Sequence, residues 1–367
     1  MSNLVFYRKY RPTSFSEIIG QEHIVQILTN SLKSGKISHA YLFSGQRGTG
    51  KTTVARILAK ALNCEDKNGG DPCNKCQSCK NINETKSLDI IEIDAASNRG
   101  IDEIRELREG ARFAPSQSKY KVFVVDESHQ LTKEASNALL KILEEPPSHV
   151  IFILATTEPH KMIKTILSRV QRFDFRRLRL DEIKKRLNLI SEKEGLKVEG
   201  GALNFIAQNA DGSFRDAENM LGQAASLGKK EITFQDVKDL FGGIEIELVK
   251  EFVDLVGKND IPKAVVFIND MSDKGVDLAE FTKSLIKYFR KLMILKVDSG
   301  LARLVCEDLT EEQIKTLQAQ KELFPSQNIQ KALGLFIEAE NEIKRAYLPQ
   351  MPLEIAVVEL CGNDGLV

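Results

Sequence analysis

The segment Gly45 to Thr52 carries the pattern that points most directly to chemistry: glycine, four variable residues, glycine, lysine and threonine. An apolar run over residues 41–43 precedes it, and a helix-patterned segment follows. Glycines let the backbone curl, so that consecutive N–H groups converge on phosphate oxygens without an obstructing Cβ atom. The positive end of the following helix dipole adds to this attraction. This P-loop pattern predicts a site for a nucleoside triphosphate, with a chance glycine-rich turn as the alternative.

Two side chains of the P-loop have predicted roles of their own. Lys51 would reach the β and γ phosphates, and the hydroxyl of Thr52 would ligate Mg²⁺. The other candidate nucleotide-binding residues of the segment are Gly45, Gln46, Arg47, Gly48, Thr49, Gly50 and Thr53.

An acidic pair, Asp126 and Glu127, follows the run Lys121 to Val125, which has the pattern of a buried strand. An aspartate at a strand tip can hold Mg²⁺, and the next glutamate can orient the attacking water. A solvated acidic turn is the alternative, but the P-loop upstream favours a hydrolytic site. We expect His129 to be a polar residue packed near the strand end rather than part of a helicase motif.

Four cysteines lie close together in the sequence, at Cys64, Cys73, Cys76 and Cys79. The surrounding segment has little apolar content, so a hydrophobic core cannot hold it. Four thiolates around a tetrahedral Zn²⁺ ion would do so, and such a site is structural. An iron–sulfur cluster, redox disulfides and free thiols are the alternatives. We expect the two other cysteines to be packing residues in helices; these are Cys306 and Cys361.

Composition sets the broad class. A chain of 367 residues with 42% hydrophobic residues can form two or three domains with real cores. Its formal charge is zero, which argues against wholesale coating of nucleic acid but leaves a local basic face open. The first residues lack the long apolar core of a secretory signal, and no apolar run approaches the length of a membrane helix. We therefore expect a cytoplasmic protein.

The periodicity of the chain predicts three regions: an α/β nucleotide-binding domain over 1–178, short helices over 179–242, and helices throughout 243–367. Apolar strand patterns in the first region cover residues 88–93, 121–125, 150–155 and 172–175. Residues 1–39 could wrap the base of the nucleotide, with Arg11 as a candidate contact, or could form a surface arm with a solvated basic cluster.

Further polar residues stand where they could reach a triphosphate. The hydroxyls of residues 156–157 follow a strand and would lie level with Asp126, where they could sense the γ-phosphate. Arg169, at a helix end, could reach a triphosphate on a neighbouring subunit or could form a surface ion pair. Arg215 begins a helix that Ser213 could cap, and it could close over the nucleotide. An ion pair with one of two acidic neighbours on its own helix is the alternative for this arginine; they are Asp216 and Glu218.

Taken together, these motifs resemble the gamma/tau subunits of bacterial DNA polymerase III clamp loaders, which are AAA+ ATPases. The resemblance covers nearly the whole chain, and the cysteine-containing insert is its most diagnostic part. It rests on RKYRPxxFxEIIGQEH, HAYLFSGQRGTGKTT, the four cysteines, EIDAASNRG, VDESHQLTKEASNALLKILEEPP, ILATTEPHK, ILSRVQRF and GSFRDAEN.

The resemblance implies a AAA+ P-loop domain over 1–178 with a zinc-binding insert at 64–79, a helical lid over 179–242 and a helical collar over 243–367. It implies that Thr157 is the first sensor and Arg215 the second. Arg169 would be the arginine of a Ser-Arg-Cys motif that reaches ATP on the adjacent subunit, although Val170 replaces the cysteine here.

The resemblance also implies partners. The chain would form a hetero-pentameric ring with further copies of itself and with delta and delta-prime type subunits. The ring would bind a sliding clamp and would hold primer–template DNA by the DNA backbone. No membrane partner is expected. We expect the stretch Ala96 to Phe113 to face the clamp. Three rival functions are a branch-migration helicase or remodeller, a non-hydrolysing scaffold, and a zinc-dependent nucleic-acid-binding module.

Overall fold

The chain divides into two compact units, residues 1–237 and 238–367. The structure is a computed structural model, and it describes residues 5–67, 69–84, 86–241, 246–301 and 311–362. Two features of the sequence analysis, the border at residues 242/243 and Cys306, lie outside these residues.

A parallel sheet forms the centre of the first unit. Its strands are β1 (Ala40–Ser44), β2 (Ile90–Asp94), β3 (Lys121–Asp126), β4 (Val150–Thr156) and β5 (Gln171–Asp174). Their order is β2-β3-β4-β1-β5. The near-continuous apolar runs predicted these strands to within two residues, because a parallel sheet is covered on both faces. Since all strands run in one direction, the segments that follow β1 and β3 meet at one edge of the sheet.

Helices pack on both faces of this sheet. The helices of this part of the chain are α1 (Phe6–Lys9), α2 (Glu22–Ser34), α3 (Lys51–Asn63), α4 (Gln77–Asn83), α5 (Ile101–Arg112), α6 (Lys133–Glu144) and α7 (Lys164–Leu167). Of these, α2 and α3 pack on one face of the sheet, and α5 and α6 pack on the other. Alternate residues of β1 serve the two cores: Tyr41 and Phe43 pack with α2 and α3, whereas Leu42 packs with α5 and α6. The P-loop is therefore anchored from both sides.

The lid region of the first unit is mainly helical. Its helices are α8 (Leu180–Glu194), α9 (Gly200–Asn209) and α10 (Phe214–Ala225), and the next helix, α11 (Phe234–Phe241), contains the border between the two units. The hydroxyl of Ser213 caps α10 by accepting a hydrogen bond from the N–H of Asp216 at 3.2 Å, as the sequence suggested. Two short strands, β6 (Lys197–Val198) and β7 (Glu231–Ile232), pair in parallel. The sequence reading missed them because two-residue strands have no visible periodicity.

The second unit is helical throughout its described part. Its helices are α12 (Ile246–Gly257), α13 (Ile261–Asp273), α14 (Leu278–Val297), α15 (Glu311–Gln320), α16 (Ser326–Ile343) and α17 (Met351–Cys361). Buried phenylalanines from α12, α14 and α16 form its core, and Cys361 packs against this core as predicted. Among the helices described, none combines the length and the apolar character that crossing a bilayer requires.

Candidate functional site

The P-loop connects the end of β1 to the start of α3, and its glycines adopt conformations that other residues avoid. Gly48 and Gly50 have φ angles of 77° and 101°, both in the left-handed region. A Cβ atom on Gly48 would lie 1.9 Å from the hydroxyl oxygen of Ser213. The N–H of Phe214 donates to the carbonyl of Gly48 at 3.0 Å, so the loop is in direct contact with the start of α10.

Lys51 is buried at the start of α3 and is tied to the loop that would hold phosphates. Its Nζ atom donates to the carbonyl oxygens of Gly45 and Gln46, both at 2.7 Å. Burial lowers the pKa of Lys51, and the nearby carboxylates of Glu127 and Asp126 oppose this effect. The acidic pair and the lysine therefore share one electrostatic environment.

Thr52 and Asp126 are in contact across the edge of the sheet. The hydroxyl of Thr52 donates to the carboxylate of Asp126 at 2.7 Å. Hydroxyl and carboxylate oxygens, with phosphate oxygens from a nucleotide, are the ligands that Mg²⁺ prefers. These two side chains could hold a magnesium ion between them.

Glu127 has an unusual backbone and is held by the residue that follows β4. Its φ angle is 47°, a left-handed conformation that is uncommon outside glycine and typical of functional sites. Its carboxylate accepts hydrogen bonds from the hydroxyl of Thr157 at 3.0 Å and from the N–H of Thr157 at 3.3 Å. The residue expected to orient water is thus positioned by the threonine expected to act as a sensor.

Thr156 and His129 form a buried contact beside the acidic pair, and Nδ1 of His129 also lies 3.5 Å from a carboxylate oxygen of Glu127. The hydroxyl of Thr156 lies 3.0 Å from Nδ1 of His129. The imidazole is only 4% exposed, and its Nε2 atom lies 3.1 Å from a carboxylate oxygen of Glu158. This environment fits the prediction of a polar residue packed near the strand end.

A cavity of about 1140 Å³ opens beside the P-loop, large enough for a nucleoside triphosphate. Tyr7, Pro12 and Ile18 of the N-terminal segment form part of its wall, which fits the wrapping alternative and not a solvated arm. Burial lowers the pKa of Arg11, another lining residue. The predicted site residues on its wall are Arg11, Arg47, Gly48, Thr49, Gly50, Lys51, Thr52, Thr53, Asp126, Glu127 and Arg215. Gly45, Gln46 and Thr157 lie behind this wall, in contact with Lys51 or Glu127.

Arg215 reaches the cavity from the lid and stacks on an aromatic ring. Its guanidinium carbon lies 4.9 Å from the centre of the Tyr7 ring, within the range of a cation–π contact. Neither acidic neighbour on its own helix forms an ion pair with it among the described residues. The arginine is thus held by the N-terminal segment and not by its helix.

Glu218 instead pairs with Arg186 on α8. The two side chains are 2.7 Å apart, and their exposures are 6% and 11%. Arg186 also donates to the carbonyl of Tyr10. Burial raises the pKa of Glu218, and the Arg186 guanidinium opposes this rise. This ion pair lines the cavity and joins two lid helices to the N-terminal segment.

Arg169 and the P-loop lie at opposite ends of the parallel strands. It comes just before β5, whereas the P-loop comes just after β1, and the register pairs these neighbouring strands in parallel. The four residues of β5 span roughly 13 Å at 3.3 Å per residue. Arg169 therefore cannot serve the cavity of its own chain. Its guanidinium forms an ion pair with Glu144 at 2.9 Å.

The four cysteines of the insert come together in space. Their sulfur atoms lie within 4.8 Å of one another, and a tetrahedral zinc ion with bonds of about 2.3 Å would separate its thiolates by about 3.8 Å. Backbone N–H groups of residues 75 and 76 point at the sulfur of Cys73 and lower the pKa of this thiol to about 6. Burial raises the pKa of Cys64 and of Cys79. The donor set fits one metal ion, because a cluster of several iron ions would hold its ligands further apart.

Three family profiles match successive parts of the chain. They describe the delta subunit of DNA polymerase III over residues 20–179, the ATPase lid domain of the DNA polymerase III clamp loader subunit over 182–230, and domain III of the gamma and tau subunits over 232–366. The DNA polymerase III gamma subunit of Buchnera aphidicola is 37% identical over 360 residues, which cover 98% of this chain and 99% of that protein. The chain belongs to the DNA polymerase III gamma/tau family.

Another gamma/tau relative, the tau subunit of Bacillus subtilis, is 42% identical over 364 residues. The present chain spans 64% of the length of that relative. A solved structure of RuvB from Thermotoga maritima is 18% identical, and the match covers 73% of this chain and 86% of that chain with a TM-score of 0.49. The predicted fold class, an α/β P-loop domain with a helical lid and a helical C-terminal domain, is confirmed.

In this gamma/tau chain the cysteine insert contacts two elements that contribute residues to the cavity wall. The carboxylate of Asp71 accepts hydrogen bonds from the N–H groups of Phe15 at 2.6 Å and Ser16 at 3.3 Å. Buried Lys60, on the helix that starts at the P-loop, donates to Asn83 of α4 at 2.8 Å. The insert thus holds both the P-loop helix and the N-terminal segment.

Sequence reasoning missed several residues at or near the candidate sites. Tyr7, Arg186 and Glu144 each contact a charged side chain that is remote in sequence. No motif marks Tyr7 or Arg186, and the motif that contains Glu144 gives this residue no role, because each contact depends on how two separate elements pack. The one available signal was Glu144, an acidic residue at the end of a helix, where a negative charge is unfavourable unless it is paired.

Proposed function

We propose that this chain is an ATP-hydrolysing subunit of a DNA polymerase III clamp loader, which uses ATP to open a sliding clamp and load it onto primed DNA during replication. The observation that carries the proposal is the arrangement of the P-loop lysine and the acidic pair around one cavity. A non-hydrolysing scaffold would not need this set. Membership of the gamma/tau family supplies the link to clamp loading.

The reaction is the attack of water on the γ-phosphorus of ATP, with ADP as the leaving group. Glu127 would orient this water and draw a proton from it, and Thr157 would hold the carboxylate in place. Lys51 would neutralise charge on the phosphates. Thr52 and Asp126 would hold Mg²⁺, which neutralises negative charge on the β and γ phosphates.

Arg169 would act on the triphosphate of an adjacent subunit. Its position at the opposite edge of the sheet from the P-loop supports this role, since a ring brings the opposite edges of two subunits together. A cation at the γ-phosphate stabilises the charge that develops in the transition state. Arg215 would close over the nucleotide of its own chain from the lid.

The cysteine insert would hold one structural zinc ion through Cys64, Cys73, Cys76 and Cys79. The division into a P-loop domain over 1–178, a lid over 179–242 and a collar over 243–367 belongs to the same proposal. In the collar, exposed apolar residues recur along one face of α17 at positions 351, 355 and 358. This stripe supports assembly with further gamma-type, delta and delta-prime subunits.

The clamp would bind the stretch Ala96 to Phe113, where α5 ends in the exposed ring of Phe113. Primer–template DNA would be held by its phosphate backbone. We propose that this work takes place in the cytoplasm.

Steady-state ATP hydrolysis tests the proposal. The chain is measured alone and then with its partner subunits, sliding clamp and primed DNA. We expect activity to rise only in the full assembly. Lys51→Ala should lose ATP binding, whereas Arg169→Ala should keep binding and lose hydrolysis by at least about a thousandfold.

Arg172→Ala is the matched control, because Arg172 is also an exposed arginine in an ion pair near the start of β5. A chain that is fully active alone and indifferent to Arg169 would be a motor with a different task. Strand separation by a homohexamer would indicate the helicase rival.

A further inference from the structure

Arg169 lies in an open recess of about 690 Å³ at the edge of the sheet opposite the P-loop. Helix α6 supplies Leu143 and Glu144 to its wall. The segment between α7 and β5 supplies Ser168, Arg169 and Val170. The recess therefore combines an arginine with an acidic residue from a different helix.

Three hydrogen bonds hold the guanidinium of Arg169. Nη1 donates to the carbonyl of Thr165 at 2.8 Å and to the hydroxyl of Ser168 at 3.1 Å, and Nη2 donates to Glu144 at 2.9 Å. The first two partners, Thr165 and Ser168, are within four residues of Arg169 in the sequence, and both contact the same nitrogen atom, Nη1. Among the described residues, only Glu144 ties the guanidinium to an element that is remote in the sequence.

An arginine has five N–H donors, so these contacts leave two for another molecule. The ion pair is partly exposed, with the Arg169 side chain 34% and the Glu144 side chain 50% accessible to solvent. Exposed pairs of this kind contribute little to folding stability. The main effect of the ion pair is therefore to orient the Arg169 guanidinium and not to stabilise the fold.

The position of Glu144 in its own helix supports this reading. It is the last residue of α6, where the helix dipole disfavours a negative charge. Pro146 and Pro147 then end the helix, and buried Leu143 anchors its last turn in the core. The Glu144 carboxylate thus lies where the helix dipole makes a negative charge unfavourable, and within the described part of the chain Arg169 is its one ionic partner.

We propose that Glu144 is a positioning residue that turns the Arg169 guanidinium so that its remaining donors face the triphosphate of an adjacent subunit. This inference rests on the proposed function, in which Arg169 acts on that triphosphate. Glu144 itself would contact neither nucleotide nor water in the reaction. Without it, the arginine would sample several orientations and would reach the γ-phosphate for less of the time.

The test measures ATP hydrolysis by the full assembly carrying Glu144→Ala, Glu144→Gln or Glu145→Gln. Glu145 is the matched control, since it is an exposed acid beside Glu144. We expect Glu144→Ala to lower kcat by about tenfold with KM for ATP within about twofold, because a charge-assisted hydrogen bond is lost. Glu144→Gln keeps an acceptor oxygen and should lose less, and Glu145→Gln should match the wild type.

The decisive comparison is made in an Arg169→Ala background, where Glu144→Ala should have no further effect. A further loss there, a rise in KM alone, or an unchanged or faster kcat in the Glu144→Ala single variant would overturn the inference. Thermal unfolding confirms that the variants are folded. If Arg169→Ala itself retains full activity, the proposed function fails first, so the two failures are distinguishable.

Discussion

Replacing Glu218 by alanine should destabilise the first unit far more than its single ion pair suggests. The carboxylate lies against Arg186 at 2.7 Å, and both side chains are almost completely buried. Arg186 also donates to the carbonyl of Tyr10, so the pair joins the lid to the N-terminal segment beside the cavity. Glu218→Ala leaves the guanidinium buried with one neutral partner.

The expected cost follows from this burial. Removing one partner of a buried pair costs about 3–5 kcal/mol, because the other charge stays desolvated without compensation. One kcal/mol corresponds to roughly 2–4 °C in Tm for a unit of this size. The Tm of the first unit should therefore fall by roughly 6–20 °C. Exposed Glu84, paired with Lys86, provides a control that should change stability by at most about 1 kcal/mol.

Differential scanning calorimetry of Glu218→Ala, Glu84→Ala and the wild type measures these shifts. The double variant Arg186→Met with Glu218→Leu should recover most of the lost stability, since it removes both charges. A Tm for Glu218→Ala within about 2 °C of the wild type would refute the reasoning, and so would a double variant less stable than the single one.

Three further predictions concern other parts of the first unit. Tyr7→Ala should weaken ATP binding two- to fivefold, because it removes a cation–π contact of about 0.5–1 kcal/mol with Arg215, while Tyr7→Phe should keep the affinity; a titration with labelled nucleotide decides between them. The wild type should bind about one zinc ion per chain, and Cys76→Ser should lose this ion and have a lower Tm. A metal-free wild type with the same Tm as the zinc-containing protein would contradict the zinc site. Hydrogen bonds from Arg176 lower the pKa of Glu182 from 4.5 to about 2, so this carboxylate stabilises the fold above pH 4.5 and loses its effect as the pH falls toward 2. The Tm difference between the wild type and Glu182→Gln should therefore shrink from pH 6 to pH 3.5, and a constant difference would argue against the ion pair.

Features that depend on local spacing were predictable from the sequence. The bounds of helix α6, Lys133–Glu144, follow from local residue types, because Thr132 caps its start and a proline pair follows its end. The four cysteines were expected to lie together in space, since a polar segment without a hydrophobic core can be held by a metal ion that they bind. The proximity of the P-loop and Asp126 was also predictable, because both follow strands that run in the same direction and end on the same side of the sheet.

Features that depend on packing between remote elements were not predictable. Asp216 and Glu218 were plausible partners for Arg215 because they share its helix. The structure instead places Arg186 of the facing helix against Glu218 and the Tyr7 ring beneath Arg215. An acidic residue that is close in sequence is therefore not always the partner of an arginine, because packing can bring a more distant residue into closer contact. The choice between a wrapping and a solvated N-terminal segment also required the structure.

The hydrogen bonds that Asp71 accepts from the N–H groups of Phe15 and Ser16 would couple the insert to the cavity in which we propose that ATP binds. A metal ion that orders the insert would then also favour the position of the N-terminal segment against the cavity. Thermodynamic linkage then requires that nucleotide raise the affinity for metal by the same factor by which metal raises the affinity for nucleotide. An apparent Kd for ATP would accordingly depend on the zinc content of the sample, although the described cysteines lie outside the cavity wall.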